Sequence, residues 1–165
     1  LINAFCCIIR HVKIQIIQIG KTKDRFMQEG IQEMVKRLSQ FCSVEIVNVK
    51  DSIKNGVPRE RIVAEETMKI MAILPKNSLL IVLDEKGEEF TSIEFSELLG
   101  KANDSGENIV FVIGGAYGLS EGLKRSAKVL LSLSKMTFTH QMIRFFLLEQ
   151  IYRGFCILKG KEYHY

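Results

Sequence analysis

Apolar positions along the chain switch between two spacings. Short β-branched runs at Val12–Ile19, Val44–Val49, Ser78–Leu83, Asn108–Ile113 and Val129–Leu133 read as strands. Between them lie helical patterns. The first covers Asp24–Phe41 through Phe26, Ile31, Met34, Val35 and Leu38; the second is opened by Pro58 and closed by Pro75, with Ile62, Val63, Met68, Ile70 and Met71 as its apolar positions. A third starts at the capping box Thr91-Ser92-Ile93-Glu94, a short fourth is capped by Ser120, and a long fifth covers Thr139–Ile157. Ser78–Leu83 and Asn108–Ile113 are continuously apolar, as strands covered on both faces are, and a polar turn is expected at Asp84-Glu85-Lys86-Gly87. The order βαβαβαβαβα predicts an α/β fold, one mostly parallel sheet with helices on both faces. Ligands of such sheets bind beyond the carboxyl ends of the strands, which singles out the segments after Leu83, Ile113 and Leu133.

A length of 165 residues, 47% apolar and 25% charged, with only two prolines, fits one globular domain with a sizeable core and speaks against two independent catalytic domains. The charge is unevenly spread. Residues 120–165 hold 8 basic and 3 acidic side chains, net +5, while residues 1–119 hold 15 and 16, net −1. That asymmetry suits a C-terminal region facing a polyanion, or equally a few lysines on a solvated face. Cys6, Cys7, Cys42 and Cys156 form no CxxC pair, so neither a zinc site nor a small disulfide framework is indicated; they read as reduced thiols of a cytoplasmic protein.

The apolar segment from Leu1 to Arg10 lacks a basic leader and a small-residue cleavage site, and falls short of the roughly 20 residues that cross a bilayer. Residues 1–11 are read as an extension outside the domain, of the kind produced by translation upstream of a start at Val12, and residues 12–165 as the domain. No later apolar stretch is longer, and no membrane partner is expected.

Three segments carry candidate chemistry. Gly114-Gly115-Ala116-Tyr117-Gly118 leaves a strand and enters a helix, so it serves either as a tight turn or as a place where backbone N–H groups approach a ligand. It is not GxGxxG, and it lacks the Lys-Ser/Thr of a P-loop. Only Gly20 follows the first strand, which disfavours a Rossmann hydride-transfer enzyme. Leu133-Ser134-Lys135-Met136-Thr137-Phe138 leaves another strand with no Gly or Pro to explain its turn; these bulky residues pack either on the glycine loop or on a ligand such as an adenine ring. The final helix is apolar on most faces yet carries Arg144, Glu149 and Arg153, which predicts packing in the core on one side and against a second subunit on another, or burial within one subunit. Glu149 and Arg153 have the spacing of a modest surface ion pair. The tail Lys159-Gly160-Lys161-Glu162-Tyr163-His164-Tyr165 is either a frayed terminus or, through its aromatics, cations and imidazole, an RNA-base site.

Taken in order, Lys13-Ile-Gln-Ile, Val82-Leu83-Asp84, Ile113-Gly114-Gly115-x-x-Gly118-Leu119-Ser120, Leu133-Ser134-Lys135-Met136-Thr137-Phe138, His140-x-x-x-Arg144, Glu149-Gln150-Ile151-Tyr152-Arg153 and Tyr163-His164 resemble the RlmH family, the SPOUT-class methyltransferases of bacterial large-subunit ribosomal RNA. The resemblance covers about residues 12–165. It implies a homodimer with a C-terminal trefoil knot and S-adenosylmethionine as cofactor, held by Leu83, Gly114, Leu133, Ser134, Lys135, Met136, Thr137 and Phe138. It also implies methylation of N3 of a pseudouridine in 23S rRNA, without a metal. By the same match His164 is the proton acceptor or base-orienting group, Arg153 steadies ring oxygens or a phosphate, and Tyr163 stacks on or hydrogen-bonds to the base. His140 reads as a structural residue of the helix start. Family members commonly follow Tyr-His with a basic residue, whereas Tyr165 stands here. The modest net charge of +4 further predicts weak binding to isolated RNA and a preference for the assembled ribosome.

Overall fold

A computed structural model describes residues 12–163. It contains β1 (Lys13–Ile19), α1 (Arg25–Leu38), β2 (Ser43–Val49), α2 (Arg59–Met71), β3 (Ser78–Glu89), α3 (Ser92–Ser105), β4 (Asn108–Ile113), α4 (Glu121–Ser126), β5 (Val129–Ser132) and α5 (His140–Leu158). The strands form one five-stranded sheet in the order β2-β1-β4-β3-β5, with every pairing parallel. The extension expected at residues 1–11, with Cys6 and Cys7, lies outside the described residues, as does His164.

Helix boundaries follow local chemistry. Asp24, Thr91, Ser120 and Thr139 each accept a hydrogen bond from a backbone N–H of the first turn, and the Thr91/Glu94 capping box closes in both directions. The alternation of side chains along the strands sorts the core into two layers. Ile14, Ile16, Leu79, Ile81, Ile109, Phe111 and Leu131 face α1, α3 and α5, meeting Met34, Leu38, Phe95, Leu99, Leu147, Ile151 and Phe155. Ile17, Ile19, Val82, Val110 and Val112 face the other way, where Ile70 of α2 and Leu123 of α4 cover them. Helices therefore lie on both faces, and the thicker layer holds α5. Cys42 and Cys156 are free thiols buried in that layer. Among the described residues no helix is long and apolar enough to cross a membrane.

The expected turn at Asp84-Glu85-Lys86-Gly87 requires correction. These residues do not end β3; they bulge from it, so that Leu83 and Glu88 both face Leu131 of β5 before the strand resumes to Glu89. Asp84 Oδ1 accepts the Lys86 N–H at 2.9 Å within the bulge. Gly87 lets it return to the sheet, because a Cβ there would stand 2.6 Å from the Leu130 carbonyl oxygen.

Candidate active site

Parallel pairing brings the three singled-out segments side by side. Val82 lies opposite Val112 and Leu83 opposite Leu131, so β4 ends, β3 bulges and β5 ends at the same edge of three adjacent strands, each about 5 Å from the next. At the centre is the glycine turn. Gly118 donates its N–H to the Gly115 carbonyl at 3.1 Å and adopts φ +75°, the left-handed region that glycine enters without strain. A Cβ on Gly114 would stand 2.9 Å from Leu119 Cγ and 3.1 Å from the Gly118 carbonyl carbon; one on Gly115 would stand 3.0 Å from Ile19 Cγ2 and 3.1 Å from Glu66 Oε2. The turn is thus bare backbone pressed between its neighbours, a cradle that a side chain would fill.

The segment after β5 explains its own turn. Ser132 Oγ donates to the Ser134 carbonyl at 3.0 Å and Ser134 Oγ accepts the Met136 N–H at 2.9 Å, so serine hydroxyls replace the missing Gly or Pro. Leu133, Ser134 and Phe138 are half-buried, whereas Lys135, Met136 and Thr137 are exposed. Phe138 meets Phe146 of α5 edge-on at 5.0 Å. Leu83 is half-buried and packs against the α5 layer.

Asp84, one residue beyond Leu83, is tied to Lys124 of α4 at 2.7 Å. Burial would raise the Asp84 carboxyl, but the Lys124 ammonium and the Lys86 N–H outweigh it and hold the group below its ordinary value. The hydrogen bond to Asp84 pushes Lys124 upward in turn. This bridge anchors the β3 bulge to the helix that follows the glycine turn, and the sequence reading did not pick it out.

The first turn of α5 reaches the same edge. Arg144 is 1% exposed; its Nη1 donates to Thr22 Oγ1 at 2.9 Å and its Nη2 to the carbonyls of Ile19 at 2.5 Å and Gly20 at 3.2 Å. Burial pushes it down to about 10, so it is still a cation at neutral pH. Among the described residues no carboxylate pairs with it. The signal in the sequence was a lone arginine inside Met142-Ile143-Arg144-Phe145-Phe146-Leu147-Leu148, a position too apolar for a solvated charge. Burial, and then the Arg144 cation, lower the His140 imidazole, which suits its reading as a neutral structural residue.

Arg153 and Tyr163 come together, but elsewhere. The Arg153 guanidinium binds Glu149 Oε1 through Nε at 3.1 Å and Nη2 at 2.7 Å, donates from Nη1 to the Tyr163 carbonyl at 3.1 Å, and lies 4.9 Å from the Tyr163 ring centroid. The pair with Glu149 is partly buried, not the plain surface bridge expected. Tyr163 also meets Tyr152 edge-on at 4.9 Å. Burial and the Glu149 carboxylate push its phenol up, leaving it a neutral donor. As far as Tyr163 the tail is not frayed: Lys161 donates its N–H to the Cys156 carbonyl at 2.9 Å and sets its ammonium 4.6 Å from the Phe41 ring centroid. Phe41 directly precedes the amino end of β2, so this cluster lies at the edge of the sheet opposite the glycine turn. From His140 to Arg153 the helix rises about 20 Å. Among the described residues of one chain the loops at the carboxyl edge and the C-terminal cluster do not meet.

The chain matches the family described as Predicted SPOUT methyltransferase over residues 12–164. It is 41% identical over 155 residues to the ribosomal RNA large subunit methyltransferase H of Geotalea daltonii, covering 93% of this chain and all (100%) of that protein. It is 40% identical over 152 residues to the protein of the same name from Caldicellulosiruptor saccharolyticus, covering 92% of this chain and 99% of that one. Its fold is similar to the crystal structure of a probable methyltransferase from Bordetella pertussis Tohama I, with a TM-score of 0.54 and 10% identity over 88% of this chain and 95% of the other. With the parallel sheet and the glycine cradle at its carboxyl edge, these likenesses establish that the chain belongs to the SPOUT methyltransferase family.

Proposed function

We propose that this protein is a cytoplasmic homodimer that uses S-adenosylmethionine to methylate N3 of a pseudouridine in 23S rRNA of the assembled ribosome. The observation that carries the reading is the glycine cradle of Gly114 flanked by Leu83 and by Leu133 to Phe138, in a chain whose relatives act on large-subunit ribosomal RNA by name. The cradle suits a nucleoside lying against backbone amides, with half-buried Leu83, Leu133 and Phe138 as apolar walls and Ser134, Lys135, Met136 and Thr137 along its outer side. The donor supplies an electrophilic methyl carbon on a sulfonium, so the chain's task is alignment and the handling of a proton.

N3 of a uracil-type ring lies between two carbonyls, and its anion spreads onto both oxygens. His164 takes or orients the N3 proton, the Arg153 guanidinium steadies the developing oxyanion, and the neutral Tyr163 phenol stacks on or donates to the ring. Glu149 holds Arg153 in place for that role.

The separation along α5 bears on the oligomer. A site containing both Gly114 and Arg153 would take the tail from a second copy, since α5 carries Arg153 about 20 Å from its own start at His140, toward the opposite edge of the sheet. Exposed apolar side chains suit that contact: Phe26 is 77% exposed and Met136 73% exposed, and Phe145 and Phe146 are half-buried. The trefoil knot in the C-terminal part of the chain is carried by the family resemblance alone.

The test is transfer of a labelled methyl group by the purified protein to ribosomes lacking the modification and to free 23S rRNA. Label at pseudouridine N3, with ribosomes preferred, is expected; label on another base, or equal labelling of free rRNA, contradicts the reading. His164→Ala should lower the single-turnover rate with donor affinity retained, and an unchanged rate removes His164 from its role.

A further inference from the structure

One exposed pair at the carboxyl edge has no part in the chemistry above. Arg59, the first residue of α2, sets its guanidinium carbon 5.0 Å from the ring centroid of Tyr117, which stands in the glycine turn three residues from Gly114. Both side chains are exposed, Tyr117 at 38%. Among the described residues Arg59 makes no ion pair, whereas Arg61 on the same helix is paired with Glu65 at 3.5 Å. The contrast with the pair at the other edge is informative. Arg153 lies over Tyr163 in nearly the same way, at 4.9 Å, but its donors are spent on Glu149 and the Tyr163 carbonyl. Among the described residues the donors of Arg59 make no hydrogen bond. An exposed pair of this kind adds little to stability, so the fold gives no reason for it.

The surroundings are basic. Lys50 and Lys54 are exposed in the loop after β2, and Lys21 and Lys23 in the loop after β1, which the Gly20 N–H joins to the Val49 carbonyl at 2.7 Å. The acidic residues of these two loops are Asp24, engaged as the cap of α1, and Asp51. Residues 1–59 carry 10 basic and 5 acidic side chains, an excess that residues 60–119 cancel in the count, and the fold brings Lys21, Lys23, Lys50, Lys54 and Arg59 to the carboxyl edge of the sheet.

We propose that Arg59 and Tyr117 form an RNA-contact platform, in which the Tyr117 ring stacks on an unpaired base next to the target nucleotide and Arg59 binds the adjoining phosphate. The proposal rests on the rRNA reading above. Tyr117 stands exposed in the same turn as Gly114, and a ring with a guanidinium beside it matches the base-and-phosphate pattern of single-stranded RNA.

Binding of a fluorescein-labelled RNA hairpin, followed by anisotropy across a salt series, tests this without requiring methyl transfer. Arg59→Ala should weaken binding about tenfold at low salt and flatten the dependence of log affinity on log salt by about one unit, the loss of a single phosphate contact. Tyr117→Ala should weaken binding, and Tyr117→Phe should restore it. Calorimetry with S-adenosylmethionine should give Arg59→Ala the donor affinity of the parent protein. Parent-like RNA affinity and salt slope in Arg59→Ala would overturn the proposal. So would an equal loss of donor affinity, which would make the pair a brace for the glycine turn. A parent protein that binds the hairpin through this pair yet labels no ribosome would sink the rRNA methylation reading and leave the platform standing.

Discussion

Arg144 and Ile19 are separated by 125 positions in the chain, yet the Arg144 guanidinium donates to the Ile19 carbonyl at the point where β1 ends. With Gly20 and Thr22 as further acceptors, one buried cation ties the start of α5 to the carboxyl edge of the sheet. Removing it leaves the buried Ile19 carbonyl unpaired and frees the partly buried Gly20 and Thr22 acceptors. Arg144→Ala is expected to cost about 2–4 kcal/mol of folding stability, and Arg144→Lys somewhat less, because a single ammonium cannot span the same acceptors. Urea denaturation measures both; a midpoint unchanged in Arg144→Ala would show that the clamp adds nothing.

A methyl group at Gly114 tests the cradle. Since its Cβ would meet Leu119 Cγ at 2.9 Å and the Gly118 backbone at 3.1 Å, the turn must shift to admit it. Gly114→Ala should weaken S-adenosylmethionine binding at least about tenfold, which is about 1.4 kcal/mol, while the thermal midpoint moves only a few degrees. Calorimetry and a melting curve separate the two effects.

The Asp84–Lys124 bridge sets a pH window. Asp84 titrates lower in the folded protein than in the unfolded chain, so its contribution is complete above the ordinary carboxylate value of 3.8 and is lost as pH falls through the lowered one. Lys124 titrates higher when folded, so its share is complete below 10.5 and is lost as pH rises beyond that. The bridge should therefore act undiminished from about pH 4 to pH 10. Asp84→Asn is expected to destabilise by about 1–2 kcal/mol at pH 7 and to narrow the gap to the parent protein below about pH 4. Denaturant midpoints measured at pH 3 and pH 7 decide it.

The two distant clusters can be tested by mixing. A chain carrying Gly114→Trp and one carrying Arg153→Ala should each be inactive alone. If each site takes its loops from one copy and its tail from the other, subunit exchange at equal amounts should restore about a quarter of the parent rate, since half of the dimers are mixed and each mixed dimer holds one intact site. Persistent inactivity after exchange, with mixed dimers verified by native mass spectrometry, would place both clusters of a working site in one chain.

Much of this architecture was legible in the residues because its determinants are local. Thr91 with Glu94, Ser120, Thr139 and Asp24 announce helix starts within four residues, and runs such as Asn108–Ile113 can hardly be anything but buried strands in this pattern. The order of elements then made a parallel sheet the natural outcome, and with it the carboxyl edge at which such sheets commonly bind ligands. The bulge in β3 escaped notice because a polar stretch ending in Gly87 reads the same whether it ends a strand or rejoins one; the contact with Leu130 that distinguishes them lies 43 positions on.

By itself the amino-acid order determined the ten elements, their parallel arrangement and the family, since periodicity, caps and ordered motifs are written in neighbouring residues. Tertiary structure alone decided which side chains share an edge. It buried Arg144 against β1, bridged Asp84 to Lys124, brought Arg59 over Tyr117, and put Arg153 and Tyr163 at the end of the sheet away from Gly114. The physical reason is that strand order and helix direction, not separation along the chain, set distances in space: β1 and β4 are neighbours although 95 residues separate Ile14 from Ile109, while a single straight helix carries Arg153 away from the loops it follows.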